Sequence, residues 1–276
     1  MTYSTLMAHL ELNLPNGRLL DVTAALAERF GARVIGIAAS QPIELLYGDV
    51  QISGDLAQLD RDEIEREIAE AEKEFRTALT GKAKSLAWRA TVTAFPLADY
   101  IGRQARAADL VITSPDRGGI PFESTRRVDI GDLVLRCGRP VLIVPNAISG
   151  FDPARVLVAW RETPEARRAV ADAMPFLEQA EHVSVVEIAG QTDMADAQAH
   201  TTDVAGWLRD HGVAAEARAI AAHGDVVRQL ETVAREINAG LMVAGAYGHA
   251  RLREWVFGGV THDLLMHPNR CTLLSK

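Results

Sequence analysis

The stretch that decides the fold stands near the end of the chain: Leu241-Met242-Val243-Ala244-Gly245-Ala246-Tyr247-Gly248-His249-Ala250-Arg251-Leu252-Arg253-Glu254-Trp255-Val256-Phe257-Gly258-Gly259-Val260-Thr261. Leu241 to Ala244 is an apolar run of strand length, and from Val260 to His267 apolar residues recur at helical spacing. A glycine-rich loop therefore joins a strand to a helix. Glycines there let the backbone take positive φ and approach a ligand without a Cβ in the way, while the free N–H groups of the helix start point outward. That chemistry suits a phosphate or other anion; the plainer reading is a tight turn that packs the helix on the sheet. No G-x-x-x-x-G-K-[ST] occurs, and no G-x-G-x-x-G follows the first strand of either half. What stands here is G-x-x-G, nine residues, then G-G.

Upstream of the loop the chain repeats itself. Tyr3 to Leu10 reads as a strand, Leu19 to Phe30 as an amphipathic helix ended by Gly31, and Arg33 to Ala39 as a second strand. A long charged helical pattern covers Asp55 to Leu86, with Ile64, Ile68, Phe75 and Leu79 as its apolar side; its charges are read as a solvated face. Trp88 to Phe95 alternates as a strand, Pro96 to Ala107 is a short helix, and Asp109 to Thr113 a fourth strand. A helix at Ile130 to Cys137 and a strand at Pro140 to Val144 close the round. Pro145 to Pro153 has linker composition, and the pattern then restarts at Arg155 to Trp160. The same order of elements runs to Cys271–Ser275, so two repeats are expected, 1–147 and 153–276. Strands alternating with helices imply a parallel sheet wrapped on both faces, with ligands at the carboxyl ends of the strands where strand order reverses. In a doubly wound five-stranded unit that point lies between strands one and four, and the glycine loop follows strand four.

Composition narrows the functions. With 276 residues there is room for two cores. A net charge of −8 and a pI near 5.5 argue against a protein that reads nucleic acid through its backbone phosphates. No apolar run has spanning length and Met1 to Arg18 lacks the pattern of a signal peptide, so a cytoplasmic protein without membrane attachment is expected. Cys137 and Cys271 show no metal or disulfide spacing and are read as small buried residues. His9, inside the first strand, is read as a satisfied core histidine.

The spacing G-x-x-G, nine residues, G-G resembles the universal stress protein family, whose ATP-binding members carry G-x-x-G, nine residues, then Gly followed by Ser or Thr. Element order and lengths agree in both halves, so the resemblance covers nearly the whole chain. It implies two tandem doubly wound five-stranded parallel-sheet domains packed as a pseudo-dimer, the short strands Pro140–Val144 and Cys271–Ser275 pairing at its centre. The implied ligand is an adenine nucleotide, ATP with magnesium. The site implied for it comprises Gly245, Gly248, His249, Arg251, Gly258, Gly259, Val260 and Thr261 of the loop and helix start, Arg161 after the first strand of the second half, and Ile188 at the end of the next.

This sequence departs from the family pattern at two places. Gly259 stands where a hydroxyl is expected, and Arg161, a donor, where an Asp acceptor holds the nucleoside end. In the first half Glu11 supplies an acid at the matching position, but Ser114-Pro115-Asp116-Arg117 replaces the glycines and makes a poor phosphate site. The first repeat reads as degenerate, the second as the binding repeat. No G-x-S-x-G, H-E-x-x-H or identifiable nucleophile and base pair appears. Three readings stay open: a regulatory nucleotide-binding module with an unknown protein partner, an interaction module that has lost the site, and a weak ATP hydrolase or nucleotide-transferring enzyme. A homo-oligomer is compatible with each.

Overall fold

The computed structural model describes residues 2–42, 54–115, 127–148, 150–246 and 269–276. The chain divides into two compact units, Thr2–Arg139 and Pro140–Lys276. In the first unit the elements are β1 (Thr5–His9), α1 (Gly17–Phe30), β2 (Arg33–Ser40), α2 (Gly54–Leu79), β3 (Leu86–Val92), α3 (Leu97–Gln104), β4 (Leu110–Thr113) and α4 (Ile130–Arg136). Its strands run parallel in the order β3-β2-β1-β4. The inner strands carry apolar side chains on both faces, because helices cover both: Leu6, Met7 and Ala8, Val34, Ile35 and Ile37, and Leu110, Val111 and Ile112 are all buried. Leu19, Leu20, Val22 and Leu26 form the buried side of α1.

Helix α2 stops at Leu79, seven residues short of the expected Leu86, and β3 starts at Leu86, two residues before the expected Trp88. The buried positions Ile64, Ala71, Phe75 and Leu79 end there, and Gly81 at φ +83° turns the chain. Charged residues continue past the turn, but charge alone does not hold a helix; its packed side does. The Lys84 N–H already donates to the Ala32 carbonyl at 2.9 Å, on the way into the sheet.

The second unit holds β5 (Val141–Ile143), β6 (Arg155–Ala159), α5 (Pro164–Leu177), β7 (His182–Ala189), α6 (Met194–Asp210), β8 (Ala215–Ala221), α7 (Val226–Glu236), β9 (Leu241–Gly245) and β10 (Cys271–Ser275). Its strand order is β5-β10-β9-β6-β7-β8. All neighbours are parallel except β5 and β10, which pair antiparallel with Ile143 opposite Thr272, Leu142 opposite Leu273 and Val141 opposite Leu274. This is the pairing expected of the two terminal strands. It also explains why the compact division falls before Pro140, while the repeat in sequence ends after β5. Helix α6 has 17 residues against 26 in α2, which shortens the second repeat.

The entry to β10 is clamped. The Arg270 guanidinium donates to the Ala239 carbonyl at 2.5 Å and to the Glu231 carboxylate of α7 at 3.0 Å, with side chains only 11% and 13% exposed. Arg139, its counterpart in the first repeat, makes only a long 3.5 Å contact to the Arg106 carbonyl at the surface.

His9 occupies the register position opposite Thr113 and shares a 2.9 Å hydrogen bond between its Nδ1 and the Thr113 Oγ1. Burial pushes its pKa from 6.5 down to about 4. It is the satisfied core histidine the sequence suggests. Both cysteines are buried, and burial pushes the Cys271 thiol up to about 12.

Two outcomes follow. Between pH 6.5 and about 4 the unfolded chain takes up the His9 proton and the folded one resists it. The first unit's stability is therefore full above pH 6.5 and falls by about 3 kcal/mol as pH drops through about 4, a slope that denaturant titrations of His9→Gln should lack. Arg270→Met leaves the Glu231 carboxylate half-sequestered without its cation, so the second unit should lose about 3 kcal/mol, and adding Glu231→Gln should restore part of it in chemical unfolding.

Candidate functional site

The second unit's strand order reverses between β6 and β9: β6 leads through α5 to β7 on one side, while β9 lies on its other side. A crevice for ligands is expected outside the carboxyl ends of these strands. The register places the residues there. Ala159 of β6 lies opposite Val186 of β7 and Ala244 of β9, and Ser275 of β10 opposite Gly245. One step further, the Trp160 N–H donates to the Val186 carbonyl at 2.8 Å, so the β6–β7 ladder continues past the last formal pair. Trp160 therefore stands beside Glu187 on one side and Gly245 on the other, and Arg161 beside Ile188.

Gly245 is where the sheet and the first turn of α5 meet. A Cβ built on it would lie 2.5 Å from the Ala166 nitrogen, 2.6 Å from the Glu165 carbonyl carbon and 2.9 Å from the Ala166 Cα. These are backbone atoms, so nothing can swing aside. The start of α5 is itself firmly built: Thr163 caps it by accepting from the Ala166 N–H at 3.2 Å, and Pro164 opens it. Gly245 is thus a close-packing glycine with ordinary φ, one half of the plain reading of the loop. From Ala246, whose N–H donates to the Ser275 carbonyl at 2.8 Å, the chain leaves the sheet at the reversal point.

Of the candidate residues, Gly245, Arg161 and Ile188 lie together at the carboxyl ends of β9, β6 and β7. Gly248, His249, Arg251, Gly258, Gly259, Val260 and Thr261 lie outside the described residues, as do Glu254, the helix from Val260 to His267, and Asp116 and Arg117 of the first repeat. Arg161 is exposed and makes no side-chain ion pair among the described residues; its neighbour Glu162 pairs with Arg167.

A polar pair that the sequence did not single out lies beside it. Glu187, 13% exposed, accepts from His200 Nδ1 of α6 at 3.4 Å. Burial holds the Glu187 carboxyl above its ordinary range and the Glu162 charge adds to the rise, while His200 and Arg161 oppose it. A carboxylate ending an otherwise apolar strand, HVSVVEI, was the available signal.

At the matching place in the first unit Asn16 and Thr113 are bonded within the unit. The Asn16 side chain closes the loop after β1, accepting from the Glu11 N–H and donating to the Glu11 carbonyl, each at 3.0 Å. Thr113, at the end of β4, is bonded to His9, and Ser114 and Pro115 after it are buried.

The architecture is that of an α/β protein whose strand order reverses once in each unit. No family model matches the chain, and no curated protein matches it. Solved structures do. A universal stress protein from Archaeoglobus fulgidus DSM 4304 superposes with a TM-score of 0.77 at 14% identity, covering 99% of this chain and 96% of that one. A putative universal stress protein from Pseudomonas aeruginosa UCBPP-PA14 does so with a TM-score of 0.63 at 14% identity, covering 99% and 93%. A functionally unknown protein from Pseudomonas aeruginosa PAO1 gives 0.59 at 14%, covering 99% and 92%. This chain therefore has the fold of two-domain universal stress protein structures along its whole length.

Because backbone meets backbone at Gly245, Gly245→Ala should cost about 1–3 kcal/mol of second-unit stability by overpacking, measured by thermal unfolding. An unchanged midpoint would show that α5 can move off the strand.

Proposed function

We propose that this chain is a tandem universal stress protein that binds an adenine nucleotide, ATP, in its second unit and acts as a regulatory module. The observation that carries this reading is that β9, which ends at Gly245, the first residue of G-x-x-G in the sequence, lies at the reversal point beside β6. Backbone N–H groups of such a segment and the start of the following helix are ready donors for phosphate oxygens. His249, Arg251 and Arg161 add cationic or neutral donors within reach in sequence. Magnesium, in this reading, comes with the phosphates: among the described residues no group of three His, Cys, Asp or Glu side chains could hold a metal ion. The first unit, where Ser114 and Pro115 stand in place of the glycines, is not proposed to bind. Among the described residues no helix is long and apolar enough to cross a membrane; a cytoplasmic location is part of this proposal.

A second reading has one observation in its favour. Arg161 replaces the acceptor on which the family's nucleoside contact depends, so a module that kept the fold and uses it for protein contacts is the alternative.

Two measurements separate them. Mass spectrometry of the denatured purified protein should release ATP, ADP or AMP if the first reading holds. The missing hydroxyl at Gly259 and the missing acceptor at Arg161 each weaken binding by roughly tenfold or less, so wild-type affinity should be about 0.1 mM. Gly259→Ser with Arg161→Asp should then bind ATP with magnesium distinctly more tightly in calorimetry. A folded double variant no better than wild type would favour the interaction module.

A further inference from the structure

At the rim where the strands of the first unit begin, cations gather without partners. Arg33 opens β2, Lys82 and Lys84 lead into β3, Arg103 and Arg106 stand at the end of α3 and in the turn toward β4, and Arg139 follows α4. All six are exposed, and none makes an ion pair among the described residues. Elsewhere exposed arginines find carboxylates: Arg18 with Asp21, Arg66 with Glu63, Arg76 with Glu72, Arg136 with Asp99 and Arg167 with Glu162. In a chain of net charge −8 acids outnumber bases, so unpaired bases along one rim are a local exception.

Backbone hydrogen bonds draw these residues into one surface. The Lys84 N–H donates to the Ala32 carbonyl at 2.9 Å, next to Arg33, and the Arg33 N–H donates to the Ser4 carbonyl at 3.0 Å. On the other side of β1, the Asp109 N–H donates to the Thr5 carbonyl at 2.8 Å and brings the start of β4 alongside. Arg106 bonds the Arg103 carbonyl at 2.6 Å, and Arg139 reaches the Arg106 carbonyl at 3.5 Å. With the strand order β3-β2-β1-β4 the cations cross four strand ends, about 14 Å at about 4.8 Å per strand. Two carboxylates share the rim. Asp109 is held by the N–H groups of Ser4 and Thr5 at 2.8 and 2.9 Å, and Glu28 stands exposed near the end of α1.

Helices α1, α2 and α3 end at this rim, and a cation near a helix carboxyl end is favourable by itself. The second unit shows that the helix ends do not dictate the charge. Its helices α5 and α6 end at the same place in the repeat, where Glu178, Glu181 and Asp210 stand exposed and His182 opens β7. The basic rim belongs to the first unit, not to the fold.

Its complement is an anionic partner. Four of the six cations are arginines, whose planar guanidinium takes a carboxylate through two parallel N–H bonds. Nucleic acid fits less well. A single strand binds by stacking its bases on aromatic side chains, whereas Tyr3, which leads into β1, is 3% exposed and packed edge-on against Phe30 at 5.2 Å. The acid excess of the rest of the chain also repels a long polyanion. An extended segment of about four acidic residues, rising about 3.3 Å each, matches the span. We propose that the rim at the amino ends of the first unit's strands docks an acidic segment of a partner protein. This docking uses the strand ends away from those at which ligands are expected, and it does not depend on nucleotide binding in the second unit.

The test uses the full chain and a fluorescein-labelled hexaglutamate peptide, read by fluorescence anisotropy at about 0.1 M salt, with labelled hexalysine and hexauridylate as comparison probes. Wild type should bind hexaglutamate and not hexalysine. Arg33→Glu with Arg106→Glu should weaken that binding about tenfold or more at an unchanged melting temperature, since both side chains are exposed. Arg168→Glu with Arg235→Glu, a pair of exposed arginines in the second unit, should leave it within about twofold. Should the rim pair fail to fold, Lys82→Gln with Lys84→Gln should still weaken binding by about threefold. No hexaglutamate binding by wild type, equal losses from the rim pair and the second-unit pair, or displacement of the peptide by saturating ATP would overturn the inference. Hexauridylate bound more tightly than hexaglutamate, and lost with the rim pair, would overturn it in favour of nucleic acid.

Discussion

Strand β10 has a partner along each edge, β9 in parallel and β5 antiparallel, and the second unit is built outward from that seam. Each repeat ends in a short, wholly buried strand: all three residues of β5 and all five of β10 are buried. Left unpaired, such a strand would present a row of free N–H and C=O groups beside apolar side chains, a template for aggregation. Pairing the two removes both hazards at once. It also fixes β10, and through β10 the carboxyl end of β9 and the place where the chain leaves the sheet. The Arg270 clamp acts on the same element, tying its first residues to α7 and to the turn before β9.

Gly245 lets the backbone of α5 come against the sheet, and the same contact brings the first turn of α5 over the ends of β9 and β6. In the equivalent elements of the first unit His9 bonds Thr113, and the Asn16 side chain bonds the Glu11 backbone.

Much of the fold could be read from the chain because parallel strands covered on both faces write themselves as continuous apolar runs, and the runs at Leu6, Val34, Leu110, Val156, Val183 and Leu241 fall where strands form. The end of α2 could not, since charged residues carry on through Lys82 and Lys84 after the buried side has stopped at Leu79. The membership of β5 was a long-range matter: periodicity shows that Val141–Ile143 is a strand, whereas its place in the second compact unit depends on a partner 131 residues away, Leu273 against Leu142. At the site, Gly245, Arg161 and Ile188 were legible as strand ends. The pairing of Glu187 with His200 was not, because which side chain a strand-end carboxylate meets is a property of packing and leaves no pattern in sequence. Residues from Gly248 to Thr261 stand as the sequence reads them.

The β5–β10 seam has a consequence for how the two repeats can change. When identical strands from separate chains form such a seam, its occupancy depends on protein concentration, and symmetry makes every substitution appear twice. Here both strands belong to one polypeptide, so the seam persists at any dilution and each side of it carries its own substitutions. A residue harmful to ligand binding in one repeat is never imposed on the other. That freedom is what allows a single chain to keep a glycine-rich loop after β9 while the loop after β4 begins with Ser114 and Pro115.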